Sequence, residues 1–170
     1  MFDSIRRVLT SLSVPGESGS PWSSRADALE IAVCVVLLEV AYADDALSPE
    51  DRARLLEFVE SRARLSETAA EELLELADQV RRQAVELWQF THFIGENFSL
   101  EQKRDLVEMM WKIIYDDGKL EMQEDNLIHK LSSLVGLRHS ELIEAKLKVL
   151  RELNNGNSAE PTPPEDENSS

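Results

Sequence analysis

The chain has 170 residues, one cysteine and a formal net charge of −15. The length fits one domain of roughly 100–200 residues, large enough to fold on its own core without a disulfide or structural metal. Such a charge repels phosphate backbones and anionic head groups, so nucleic acid is excluded as a partner and cations or basic proteins are favoured. Residues 1–24 are neutral and the tail from Asn155 carries Glu160, Glu165, Asp166 and Glu167, which leaves −11 on the body between them by subtraction.

Phe2, Ile5, Val8, Leu9 and Leu12 recur at helical spacing, predicting a short amphipathic helix over residues 3–12. Its apolar face can dock on protein or on a membrane surface. Two arginines, Arg6 and Arg7, support only weak membrane attachment through residues 1–12, so docking on protein is favoured. The acid at position 3 and the spaced apolar residues do not read as a signal peptide, and the expected location is cytoplasmic. Residues 13–23, with two prolines and two glycines, form a linker, so 1–23 is set apart from a helical domain over 24–153 and an acidic, disordered tail over 154–170.

Ala26–Ala43 is apolar nearly all round and predicts a central buried helix, with Cys34 as a small buried hydrophobe. Asp27, Glu30 and Glu39 interrupt it, and it falls short of the roughly 20 residues a bilayer requires. Ser48-Pro49 and Ser66 start the next two helices; the second presents Leu73, Leu76, Ala77 and Val80 on one face. Val85–Phe98 is rich in large apolar groups and is expected deep in the core. Ser99-Leu100-Glu101-Gln102 reads as a capping box, followed by an apolar face of Val107, Met110, Trp111 and Ile114. Gly118 and Gly136 end two successive helices, and a last helix over 140–153 is expected to turn Ile143, Leu147 and Leu150 inward. No alternating β-branched run occurs, so the fold class is all-α, a single domain of about seven helices.

A shift of 73 residues brings two segments into register. Tyr42 falls on Tyr115, Asp44 on Asp117, Leu47 on Leu120, Asp51 on Glu124, Leu55 on Ile128 and Phe58 on Leu131; a one-residue gap then aligns Leu65 with Leu137. Each copy is a buried helix, an acidic loop, a leucine plug and a second amphipathic helix. Asp44-Asp45 and Asp116-Asp117 follow helix C-termini, where the dipole disfavours acids, and Asp51 and Glu124 add further acid at the next helix start. Two readings stand side by side. In one, the aspartates accept amide hydrogen bonds within their own loops and the later acids complement helix N-termini. In the other, Asp44, Asp45, Asp51, Asp116, Asp117 and Glu124 supply hard oxygen ligands to a divalent cation, Ca²⁺ or Mg²⁺. The loops lack the twelve-residue EF-hand pattern.

Tyr42–Asp51 and Tyr115–Leu120 resemble the two Ala-Asp-Gly-x-Leu turns of the TerB family, named for tellurite resistance. The fold of that family also resembles the N-terminal region of membrane-anchored DjlA-type co-chaperones. Leu87-Trp88-Gln89-Phe90-Thr91 and Asn97-Phe98-Ser99 resemble one of its subfamilies, and the likeness extends over about Glu30–Leu150. It implies pseudo-symmetric helical halves, an acidic patch that binds divalent cations, and a link to stress response. Asp45 stands where the family has glycine, and Asp51 is shorter than the usual glutamate. No His-Pro-Asp motif occurs, so no J domain is present.

His92 with Glu96, and Asp125 with His129, share helix faces, but no Glu-x-x-His pair of a di-iron bundle exists. Phosphate-cradling glycine loops, nucleophile elbows and paired cysteines are also missing. The expectation is a non-enzymatic interaction module with a protein partner. A metal-dependent hydrolase using the same carboxylates is the alternative.

Overall fold

The computed structural model describes residues 25–43, 46–115 and 121–157. Among the described residues the secondary structure is helical throughout, in seven helices: α1 (Arg25–Ala41), α2 (Pro49–Ala63), α3 (Glu67–Gln83), α4 (Trp88–Asn97), α5 (Leu100–Ile114), α6 (Met122–Leu134) and α7 (His139–Asn157). The expected N-terminal helix and linker, Trp22, the helix stop at Gly118 and most of the acidic tail lie outside the described residues. None of the described helices is long and apolar enough to cross a membrane.

The axis of the fold is α1. Every residue from Ile31 to Leu38 is at most 1% exposed. Its valines and isoleucine are indifferent helix formers, so burial rather than propensity holds this segment helical. Each such side chain contributes about 1.5–3 kcal/mol when removed from water. Burial pushes the Cys34 thiol well above its ordinary pKa, and Glu30 acts in the same direction, so the group is an inert core member.

Around α1 the helices form two related halves. In the first, α1 packs on α2 and α3; in the second, α5 packs on α6 and α7. Each half also reaches across to the other, α6 onto α1 and α2 onto α5. Helix α4 fills the space between them, against α1 and α6. It can approach the end of α6 closely because Gly95 has no side chain: a Cβ there would lie 3.1 Å from the Val135 carbonyl oxygen.

Local chemistry sets the boundaries. Ser48 Oγ accepts from the Asp51 N–H at 3.0 Å, and Ser66 Oγ from the Ala69 N–H at 3.3 Å. Ser99 and Gln102 form the expected reciprocal box, at 3.2 and 2.9 Å. Helix α2 ends at Arg64, with φ 54°, and the segment after α6 turns at Gly136, with φ 86°.

Three expectations need correction. Val85 is 96% exposed and Trp88 half exposed, so the N-terminal part of Val85–Phe98 is not core. Helix α3 stops at Ala84 in an extended conformation, and α4 begins only at Trp88, whose ring stacks on His92 instead. Phe90, Phe93, Ile94 and Phe98 supply the buried face. In α7 the buried apolar side chains are Leu142, Ala145 and Val149, whereas Leu147 is 52% exposed and Ile143 and Leu150 are half-buried. Apolar spacing identifies a stripe, and α7 has two of them. The same helix runs on to Asn157, through residues 154–157 that composition assigned to the tail.

Candidate metal centre

The two acidic turns connect α1 to α2 and α5 to α6. Asp44, Asp45, Asp116 and Asp117 lie outside the described residues; Asp51 and Glu124 lie within them. The structure puts these two in equivalent places. Counting from the N-caps Ser48 and Glu121, each is the third residue of its helix, the position whose side chain can fold back over the helix start. Glu124 does so: its Oε2 accepts from the Glu121 N–H at 2.9 Å, and the residue is only 3% exposed. Asp51 is partly buried, and its Oδ1 is shielded from solvent. The next positions of the alignment behave alike too, since Leu55 and Ile128 are both fully buried.

The capping geometry of Glu124 is not peculiar to an acidic turn. Gln102 Oε1 receives the Ser99 N–H and Glu141 Oε2 the Arg138 N–H, both at 2.9 Å. Glu124 therefore performs an ordinary helix-start task with one oxygen. Among the described residues, no group of three or more His, Cys, Asp or Glu side chains stands together to hold a metal ion. A ligand set at either turn needs the aspartates of the loop as well as Asp51 or Glu124.

Cationic side chains from a third helix flank each turn, and sequence reasoning missed them. Beside the first, the Arg81 guanidinium of α3 lies 4.2 Å above the Tyr42 ring, and reaches Asp78 at 3.0 Å and Glu39 at 3.5 Å. Beside the second, the Lys146 ammonium of α7 lies 4.8 Å from the centre of the Trp111 ring and 3.4 Å from Asp125. Trp111 stacks on Tyr115, and His129 meets Trp111 edge-on while lying 3.5 Å from Asp125. His139 comes within 5.4 Å of the His129 ring. The i, i+4 pairs were legible in the sequence, but Arg81, Lys146 and His139 arrive from separate helices and leave no local mark. Arg81 engages Glu39 and Asp78, and Lys146 engages Asp125.

A groove of about 290 Å³ lies elsewhere, between α2 and α5, lined by Phe58, Arg62, Glu108, Met109 and Lys112 among others. It contains neither Asp51 nor Glu124. Three of its charged side chains pair with neighbours: Arg62 with Glu30 at 2.8 Å, Glu108 with Lys148 at 2.9 Å, and Lys112 with Glu152 at 3.4 Å.

A family model described as tellurite resistance protein TerB matches residues 30–147, more than half of the chain and all seven helices in whole or part. No curated protein and no solved structure matches the chain.

Proposed function

The chain belongs to the TerB family, and from that premise we propose a non-enzymatic module that binds Ca²⁺ or Mg²⁺ at its two acidic turns and engages a protein partner. The observation that carries this reading is the shared placement of Asp51 and Glu124, each three residues into the helix that leaves an acidic loop. A carboxylate there and the aspartates a few residues before it in the sequence are hard oxygen donors, the chemistry those cations prefer. The second turn is the stronger of the two, because it retains Gly118 and the longer Glu124. Cation binding removes like-charge repulsion from an acidic surface and stiffens the loops between paired helices, which gives a partner a defined face to recognise. A role in stress response follows from the family's name alone and belongs to this proposal.

Thermal melts in chelator and in millimolar Ca²⁺ or Mg²⁺ test the reading. At a hundredfold excess over the dissociation constant a single site adds about 2.7 kcal/mol. Asp117→Asn should abolish most of that gain and Asp44→Asn less. Identical wild-type curves in chelator and cation would sink the proposal and leave the aspartates as structural loop residues.

A further inference from the structure

Helix α7 is apolar on two sides. Leu142, Ala145 and Val149 are buried against the body. Ile143, Leu147 and Leu150, spaced by four and three residues, point roughly 130° away from them around the helix at 100° per residue. Among the described residues these three belong neither to the buried core nor to the half-buried side chains packed on it. Leu153, also exposed, falls about 20° from Leu142 around the helix, on the side of the buried face, and is not part of this stripe. The other exposed large apolar groups among the described residues differ in kind: Val85 and Trp88 sit around a helix junction and Leu100 and Met122 at helix starts, single points rather than a line.

We infer that residues 2–12 of the same chain pack as a helix on the Ile143–Leu147–Leu150 stripe. Phe2, Ile5, Val8, Leu9 and Leu12 repeat at the same three- and four-residue spacing, so two apolar lines of matching period face one another. A helix of this length is below the roughly 12–15 residues needed for stability alone in water, so its amphipathic order needs a surface. The tether suffices: residues 13–24 can span about 40 Å when extended. A body of this size has a radius of gyration of about 14 Å, so a tether of that length reaches well beyond the face it leaves. Tethering also raises the effective concentration of the segment into the millimolar range, above that of a second copy or a dilute partner. The segment further brings Arg6 and Arg7 onto a body of net negative charge.

Cross-linking in the full chain tests this, and the fully buried Cys34 leaves introduced thiols unambiguous. Under mild oxidant, the pair Val8→Cys with Leu147→Cys should form an intramolecular disulfide at least tenfold faster than Val8→Cys with Glu75→Cys, which is exposed on α3. Equal rates overturn the inference, and so does a disulfide-linked dimer, which would make a second copy the occupant. Co-sedimentation of the wild type with phosphatidylglycerol vesicles, lost in Leu9→Ser, would overturn it in favour of a membrane surface. An independent readout is a double-mutant cycle in melting temperature. Leu9→Ser and Leu147→Ser should each lower it by roughly 3 °C, with the double variant little lower than either single one. Additive shifts would show that the two leucines do not meet.

Discussion

Arg64 and Gly136 close the two copies of the helix–loop–helix in the same left-handed backbone conformation, at φ 54° and 86°. The amide that follows each donates back across five residues, Leu65 to the Glu60 carbonyl at 3.2 Å and Leu137 to the Ser132 carbonyl at 2.9 Å. The duplication thus continues through the one-residue gap as an identical helix stop, built once with arginine and once with glycine. An L-residue in this region carries about 1–2 kcal/mol of steric cost, which glycine avoids. Arg64→Gly should therefore stabilise the protein by about 0.5 kcal/mol once the added freedom of the unfolded chain is deducted. Gly136→Ala should destabilise it by about 1 kcal/mol. The space there is tolerable, since the nearest atom to a new Cβ is the flexible Lys103 Nζ at 3.4 Å. Urea denaturation of the two variants checks both signs.

What could be read from the sequence was local. Ser48, Ser66 and Ser99 announce helix starts because a cap needs only its own next three residues. Arg64 has no compositional mark, since an arginine does not signal the left-handed turn that a glycine such as Gly136 does. Val85 and Leu147 defeated the apolar pattern for a related reason. Periodicity groups side chains into a face, but only the neighbouring helices decide which of two faces is covered. At the acidic turns, the 73-residue register found Asp51 and Glu124, whereas the covering cations Arg81 and Lys146 depend on how α3 and α7 return to the body.

Gly95 should resist the usual gain of a helical glycine-to-alanine change. In an exposed helix Ala is better than Gly by roughly 1 kcal/mol. At Gly95 the added Cβ would meet the Val135 backbone oxygen at 3.1 Å, and a backbone atom cannot swing aside. Separating α4 from the end of α6 should make Gly95→Ala net destabilising by about 1–2 kcal/mol. Gly156→Ala is the matched control, because nothing lies within 4 Å of its new Cβ. Denaturation midpoints should move in opposite directions for the two.

Glu141 should make part of the stability acid-sensitive. The Arg138 N–H, and then the Arg138 and Arg104 guanidinium groups, hold its carboxyl below the usual carboxylate range. A depressed folded pKa means stabilisation that is complete above the unfolded value of about 4.3 and disappears as pH falls through the folded value. Glu141→Gln keeps an acceptor for the Arg138 N–H but loses the charge. It should be less stable than the wild type at neutral pH, with the gap closing below about pH 4. Both arginines are well exposed, so the gap should also shrink in high salt. A gap independent of pH would locate the effect in packing rather than charge.

Glu124 offers the sharpest separation of capping from cation binding, because the protein already contains the control chemistry. At the start of α5 the neutral amide of Gln102 receives the Ser99 N–H at the same 2.9 Å at which Glu124 receives the Glu121 N–H. Glu124→Gln should thus preserve the cap and change stability in chelator by less than about 0.5 kcal/mol. A hard cation needs the charge that the amide lacks. The stabilisation from saturating Ca²⁺ or Mg²⁺, about 2.7 kcal/mol at a hundredfold excess over the dissociation constant, should fall to a small fraction in the variant. Asp125→Asn, one residue on, should behave in the opposite way. Its carboxylate is held by Lys146 at 3.4 Å and His129 at 3.5 Å, so its loss should lower stability in chelator and leave the cation increment intact. Calorimetric melts of the three proteins, each with chelator and with cation, give the comparison directly. If wild type and Glu124→Gln gain equally from the cation, Glu124 is a helix cap and no ligand.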